Sequence, residues 1–468
     1  MRETVERELK LVPGEGFRLS ALGRELPTRT FVSTYHDTAD LRLTRHRITF
    51  RHRLEDGVGL WQLKLPHGAA RLELEEQGPP GRPPAALLDL LTAYLRGAEL
   101  VRVARLRTRR QRVRVGGAEI VEDSVAVLDG QRITARFREL EVELLDGGEE
   151  ALARIESAVR TAGAETGTFT PKLYRALGLE YPAEREGVPR GASPLEALRV
   201  ALVEQYDRLL AHDPGTRLGS DPEDLHQMRV ATRRARAFLR AARPLLDRGW
   251  ANALRAELGW LGSELGPARD LDVLLEHIRA DIEAIGREAD TARALVDALQ
   301  LEHDAARRAA VEALGAQRYF ALLDRLEAAE PVGDPDATAT LARLWWDEFK
   351  RTRRTFRRLG RSSSDEELHA ARIQVKRARY AAELAEPELG GPGRRFVSAA
   401  KALQDVLGEH QDACVAEQRI RAWAEGRPEV KQAAVELLER ERTRRREARK
   451  EWPGAWASLD RRASKARP

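Results

Sequence analysis

Apolar and polar positions alternate with period two through the first 180 residues or so. VERELKL, RITFRHRL, LWQLKL, RLELEE, RVRV, SVAVLD and FRELEVELL all carry the alternation, bounded by Gly, Pro and Asp, and this pattern puts one face of a strand inward. Six or more such segments at short spacing predict an antiparallel sheet or barrel. Two stretches with helical spacing interrupt it, PPAALLDLLTAYL and EEALARIESAVRTA. Residues 182–192, PAEREGVPRGA, are polar and rich in Pro and Gly and read as a linker. Ser193 and Pro194 then supply a cap and a first-turn residue. Everything after them reads as helix, punctuated by HDPGTRLGSDP, EPVGDPD, LGRSSSD and LGGPG. The pattern therefore predicts an α+β multidomain protein: an antiparallel β-barrel over residues 1–181, then an all-α domain over 193–468.

The helical part repeats itself. HQMRVATRRAR from His226 matches HAARIQVKRAR from His369, an offset of 369 − 226 = 143. LGPARD from Leu265 matches LGEHQD from Leu407, an offset of 142. Two motifs at nearly one offset predict two related helical bundles, about 193–330 and 340–450. On a helix, His226, Arg229, Arg233, Arg236 and Arg240 share a stripe roughly 80° wide. Met228, Ala231, Ala235, Phe238 and Leu239 fall opposite. Asp221 and Pro222 begin this helix, and Ser364 and Glu367 stand at capping-box spacing before its counterpart. The counterpart places His369, Arg372, Lys376 and Arg379 on the same stripe, with Arg377 beside it. No acid interrupts residues 226–243, whereas solvated helix faces usually interleave acids with bases. A single-sign stripe appearing twice predicts a polyanion ligand.

Composition narrows the ligand and the compartment. Aromatics are only 5% of 468 residues and do not interleave with the arginines, which argues against stacking on single-stranded nucleic acid. Net charge is small, 80 − 75 = +5, so the charge acts through its placement. Cys414 stands alone, which excludes an internal disulfide framework and a multi-cysteine zinc site. The opening MRETVERELKL is charged, and no apolar run approaches membrane-spanning length. A cytoplasmic protein is expected.

The twin H-x-x-R-x-x-x-[RK]-R-x-R motifs with LGPARD and LGEHQD resemble the CHAD domain over about residues 193–450. That resemblance implies two pseudo-symmetric four-helix bundles whose basic face binds inorganic polyphosphate. The residues it singles out are His226, Arg229, Arg233, Arg234 and Arg236, then His369, Arg372, Lys376, Arg377 and Arg379.

In the β region, strand parity puts Glu6, Glu8 and Lys10 on one face, and Glu139, Glu141 and Glu143 on the polar face of FRELEVELL. Like charges on neighbouring strands are costly in water unless a cation sits among them. Lysine is rare, 9 against 80 − 9 = 71 arginines, yet Lys10, Lys64 and Lys172 each occupy a strand or motif position here. A compact ammonium kept in an arginine-rich chain points to point-charge contact with phosphate.

This set resembles the CYTH family, the triphosphate tunnel metalloenzymes, over about residues 1–180. VERELK supplies the E-x-E-x-K signature, YHDTADLRL the Y-x-D-T segment, TFRHR the arginines 51 and 53, and WQLKL Lys64. RLELEE supplies Glu73 or Glu75, RLRTRR an arginine at 107 or 109, VEDSVAV Asp123, ELEVEL Glu141 and Glu143, and KLYR Lys172 and Arg175. The resemblance implies a closed antiparallel barrel around a polar tunnel. Within it Arg51, Arg53, Lys64, Arg107, Arg109, Lys172 and Arg175 would bind substrate. Glu6, Glu8, Asp123, Glu141 and Glu143 would hold Mg²⁺ or Mn²⁺, and Lys10 with Glu6 and Glu8 would form the catalytic group. The expected activity is metal-dependent hydrolysis of inorganic triphosphate or another short triphosphate. One chain carrying both regions would also raise the phosphate concentration near the tunnel. Three other readings are a non-catalytic polyphosphate-binding or granule-targeting protein, a nucleotide cyclase, and a nucleic-acid binder.

Overall fold

The computed structural model describes residues 1–6, 8–68, 70–144, 149–166, 170–183, 185–189, 191–333, 339–360 and 362–468, without the side chains of residues 5, 6, 8, 149–152, 166 and 287. The chain forms two compact units, Met1–Arg185 and Glu186–Pro468.

The first unit carries ten strands: β1 (Arg2–Glu6), β2 (Glu8–Pro13), β3 (Arg24–Asp37), β4 (Thr49–Glu55), β5 (Val58–His67), β6 (Ala70–Gln77), β7 (Val101–Val115), β8 (Ala118–Asp129), β9 (Arg132–Leu144) and β10 (Ala164–Thr166). Its helices are α1 (Arg42–Arg45), α2 (Ala85–Asp89), α3 (Thr92–Leu95), α4 (Glu149–Thr161) and α5 (Lys172–Leu177). The strands form one antiparallel sheet in the order β1-β6-β5-β4-β3-β7-β8-β9-β2-β10. VERELKL, expected as a single strand, is thus two pairings, β1 with β6 and β2 with β9. Because β1 and β2 adjoin in sequence yet lie toward opposite ends of the order, the sheet curls to bring its ends to one place.

Strand parity then sorts the side chains. On the outer face Leu11, Val113, Ile120, Leu140 and Val142 are buried together with Val159 of α4. Trp61 is fully buried and stacks on Phe50, ring centroids 5.0 Å apart. Burying such a side chain is worth roughly 1.5–3 kcal/mol; the inner face carries the polar groups together with a smaller apolar cluster that includes Leu106, Val125 and Leu173. The longest strands show where sequence patterning falls short. β3 alternates in burial from Phe31 to Asp37, but two of its buried positions, Ser33 and Asp37, are polar and hide the pattern; its pairing with β7 slips near Pro27, between Leu26 and Arg29, and again between Tyr35 and His36.

The second unit is helical: α6 (Pro194–Leu218), α7 (Pro222–Ala241), α8 (Arg248–Glu264), α9 (Gly266–Ala284), α10 (Ala289–Leu314), α11 (Gln317–Glu327), α12 (Leu341–Phe356), α13 (Asp365–Leu384), α14 (Glu386–Ala424) and α15 (Lys431–Lys465). Ser193 caps α6, Asp221 caps α7, and Ser364 with Glu367 forms a complete capping box on α13. Two expected breaks lie inside helices. α6 runs through Pro214, where Arg217 reaches back to buried Asp213 at 2.6 Å, and ends at Gly219. LGGPG is a kink within α14, at Gly390. No helix among the described residues is long and apolar enough to cross a membrane.

Candidate active site and anion-binding cavity

In the first unit the inner face of the sheet lines a cavity of about 380 Å³. Register brings its polar groups together, since residues paired across antiparallel strands share a face. Glu75 pairs Gln62, Gln62 pairs Arg51 and Arg51 pairs Tyr35, across β6, β5, β4 and β3. Arg110 pairs Asp123, Asp123 pairs Glu139, and Lys10 pairs Glu141, across β7, β8, β9 and β2. The two walls differ chemically. On the first, Arg51 donates to Gln62 at 2.8 Å and to the Tyr35 hydroxyl at 3.0 Å, and Lys64 lies 3.5 Å from Glu73. Arg53 lies over the Phe31 ring, 3.8 Å from its centroid. On the second, Arg110 grips Asp123 with two bonds of 2.8 Å and reaches Glu141 at 2.9 Å.

Lys172 enters from α5. Its ammonium lies 2.9 Å from Asp123 and 2.8 Å from Glu141, and it also contacts Glu139. Lys10 donates to Glu141 at 3.0 Å. Burial opposes the charge of Glu141, but Lys10, Lys172 and Arg110 outweigh it and hold its carboxylate well below the usual range. Burial likewise opposes charge on Lys172, and Glu141, Asp123 and Glu139 raise its pKa well above that of an ordinary lysine. Glu139 goes the other way: burial raises its pKa against the pull of Lys172 and Lys10. Burial opposes the charge of Arg51 too, yet Tyr35 and Glu73 raise its pKa. Burial and repulsion from Arg51 lower that of Arg53.

Asp123, Glu139 and Glu141 each offer a carboxylate oxygen within 4.8 Å of the others. Hard oxygens without nitrogen or sulfur suit a cation such as Mg²⁺ or Mn²⁺. Lys172 contacts all three, with Lys10 and Arg110 adding two further cations, and Glu143 lines the cavity beside them.

Of the residues expected from sequence, Lys10, Arg51, Arg53, Lys64, Lys172, Glu141 and Glu143 line the cavity, and Asp123 is buried behind it. Both Glu73 and Glu75 line it as well. The side chains of Glu6 and Glu8 lie outside the described residues; in backbone register Glu6 stands opposite Arg71 and Glu8 opposite Glu143. Arg107 and Arg109 are exposed. The inward parity of β7 runs through Leu106, Thr108 and Arg110, so Arg110 occupies the place expected for either of them. Arg175 stacks on Phe137 at 4.1 Å and lies 3.6 Å from Glu139, outside the cavity lining. Sequence reasoning missed Arg110, Glu139 and Gln62. Glu139 was visible in the same period-two count as Glu141.

In the second unit, α7 and α13 face one cavity of about 720 Å³. His226, Arg229, Arg233, Arg234, His369, Arg372, Lys376 and Arg379 all line it, whereas Arg236 and Arg377 do not. Arg208, Arg269 and Lys401 add cations that sequence reasoning did not select. The second repeated motif is now explained. Arg229 donates to the Gly266 carbonyl and, at 3.0 Å, to Asp270. A Cβ at Gly266 would lie 3.2 Å from Arg229, and one at Gly408 would lie 3.3 Å from Arg372. LGPARD and LGEHQD thus seat equivalent arginines. Burial, Arg372 and Arg233 push Lys376 down to about 7 against the pull of Asp412. Burial and Arg269 lower His226. The 440–450 run, by contrast, is compensated: Arg444 pairs with Asp281 and Glu441, and Arg445 with Glu417 at 2.7 Å.

Comparison with known proteins agrees with this division. The CYTH domain model matches residues 4–174 and the CHAD domain model residues 200–421. An uncharacterised protein of Mycobacterium tuberculosis is 30% identical over 453 residues, 87% of this chain and 84% of its own. The CHAD domain from the plant Ricinus communis is 26% identical, covering 59% of this chain and 95% of that one, with a TM-score of 0.48. A Hippeastrum protein classed as an adenylyl cyclase and showing a dominant triphosphatase activity is 21% identical, covering 39% of this chain and 98% of that one, with a TM-score of 0.28. The chain therefore belongs to the CYTH family through its first unit and to the CHAD family through its second.

Proposed function

We propose that the first unit hydrolyses inorganic triphosphate, or another short triphosphate, with the aid of a divalent metal, and that the second unit binds inorganic polyphosphate. The observation that carries this is the pairing, in one cavity, of a cationic wall at Arg51, Arg53 and Lys64 with a carboxylate wall at Glu141 and Glu143. A triphosphate must be neutralised before water attacks phosphorus. Arg51, Arg53, Lys64 and Arg110 offer forks and a point charge to its oxygens. Glu141, Glu143 and Asp123, with Glu6 and Glu8, would hold Mg²⁺ or Mn²⁺. When bound, that ion supplies charge neutralisation and a more acidic water. Lys10 and Lys172 keep Glu141 ionised. Burial raises the pKa of Glu139 beside them against the pull of Lys172 and Lys10.

The test is phosphate release from tripolyphosphate, ATP, thiamine triphosphate and long-chain polyphosphate, with and without Mg²⁺ or Mn²⁺. Metal-dependent release from tripolyphosphate, lost in Glu8→Gln, is expected. Absence of hydrolysis with either metal across a broad pH range would leave a polyphosphate-binding protein without this activity, and cyclic AMP from ATP would make it a cyclase.

A further inference from the structure

Arg236 and Arg377 lie outside the basic cavity, but they are not scattered. Arg236 rests against α8, where a Cβ at Gly259 would lie 3.4 Å from its guanidinium carbon. Arg255 of α8 is half-buried and feels Arg240, Arg236, Arg243 and Arg377, all of which disfavour its charge after burial itself. Arg377 of α13 feels Arg240 in turn. Five guanidinium groups from α7, α8, α13 and the turn after α7 therefore share one neighbourhood. Among the described residues none of the five forms an ion pair or side-chain hydrogen bond. The Nε atoms of Arg240 and Arg255 are buried without a partner. The acid that faces the group, Glu348, gives one oxygen to Arg351 at 2.9 Å and favours the charge of Arg377 without a direct bond to it. The same unit compensates its 440–450 arginines with buried acids, whereas these five, with Arg236 and Arg243 exposed and the other three half-buried, are left open to an external anion. Clustered guanidinium forks match the oxygens of a chain of phosphates.

Position supplies the ligand's length. Arg229 and Arg233 line the cavity, and Arg236 and Arg240 continue the same stripe of α7 into the cluster. At 1.5 Å per residue, Arg229 to Arg240 spans roughly 16 Å. Resting on the polyphosphate reading above, we propose that Arg236, Arg240, Arg243, Arg255 and Arg377 form a second anion site that engages the far part of a polyphosphate chain held in the cavity. The unit then discriminates by chain length, short chains occupying the cavity and long chains both sites.

Titrate the full chain, carrying Arg51→Gln/Lys64→Gln throughout so that tripolyphosphate reports the second unit and not the first unit's cavity, with long-chain polyphosphate and with tripolyphosphate, with chelator present, for the otherwise wild-type chain, Arg240→Gln/Arg255→Gln and Arg233→Gln/Arg372→Gln. The first double variant should bind long chains about ten-fold more weakly with a shallower salt dependence, and tripolyphosphate as before. The Arg240→Lys/Arg255→Lys variant should recover part of the loss, which a folding defect would not allow. Unchanged long-chain affinity in Arg240→Gln/Arg255→Gln, or an equal loss for both ligands, would overturn the second site alone. The otherwise wild-type chain failing to bind long chains would overturn the reading of the whole unit. Displacement of polyphosphate by duplex DNA at equal phosphate concentration would overturn the assigned ligand.

Discussion

Lys172 donates to Glu141 at 2.8 Å, joining the helix at the end of the first unit to the middle of β9. Removing one partner of such a buried pair leaves the other uncompensated, at a cost of about 3–5 kcal/mol. Glu141→Gln should lower the stability of the first unit by this order, read as an earlier urea transition of the full chain. The pH dependence follows from the sign. A carboxylate held below its ordinary 4.5 contributes stability that is present above that pH and is lost as pH falls through its depressed value. Glu141→Gln should therefore flatten the acid limb of a stability-versus-pH curve; an unchanged limb would remove Glu141 from the cluster's energetics.

The parity of β7 makes a sharp comparison. Arg110 faces the carboxylates, and Arg107 and Arg109 are exposed. Arg110→Ala should cost at least 100-fold in kcat/KM for tripolyphosphate, about 2.7 kcal/mol. Arg107→Ala and Arg109→Ala should stay within about 0.5 kcal/mol of wild type in stability and keep their activity. Activity lost in Arg109→Ala and kept in Arg110→Ala would reverse the register.

Gly408→Ala separates stability from binding. Alanine inside a helix is favoured over glycine by about 1 kcal/mol, so α14 should not weaken. The new Cβ would stand 3.3 Å from Arg372 and push its guanidinium aside. Polyphosphate affinity should fall by about 1 kcal/mol, roughly five-fold, in isothermal titration, while the melting temperature holds or rises.

Lys376 gives the cavity a pH response. Its pKa, near 7, means that protonation, and with it attraction for phosphate, is lost as pH rises through that value. A bound anion raises the pKa, so binding near neutrality should take up protons, measurable as buffer-dependent heat. Arg233, Arg372, Arg379 and Asp412 surround this ammonium, and burial raises the pKa of Asp412. Lys376→Arg should flatten the part of the profile that His226 does not supply, with affinity retained at low pH. Proton uptake undiminished in Lys376→Arg would assign it elsewhere.

The particular residues show what patterning could and could not reveal. Lys10, Lys64 and Lys172 stood out as rare lysines, and all three line one cavity. Period two separated Leu140 and Val142 from Glu141 because a strand has only two faces. It failed in RLRTRRQRVRV, where arginine on both faces erases the contrast that parity needs, and Arg110 was hidden there. β3 was missed because its inward positions from Phe31 to Asp37 include the polar Ser33 and Asp37, which apolar–polar counting cannot tell from an exposed face. The helical stripe of α7 was legible, but its division between two surroundings depends on α8, which no pattern within α7 encodes.

The pairing of Lys10 with Glu141 also has a temporal side. During synthesis β2 leaves a ribosome well before the strand it pairs with: it waits for β9, some 130 residues later. At ordinary synthesis rates that delay is on the order of ten seconds. Until then the nascent amino-terminal segment carries unmatched backbone donors and acceptors, and assembly of this sheet is of high contact order and correspondingly slow.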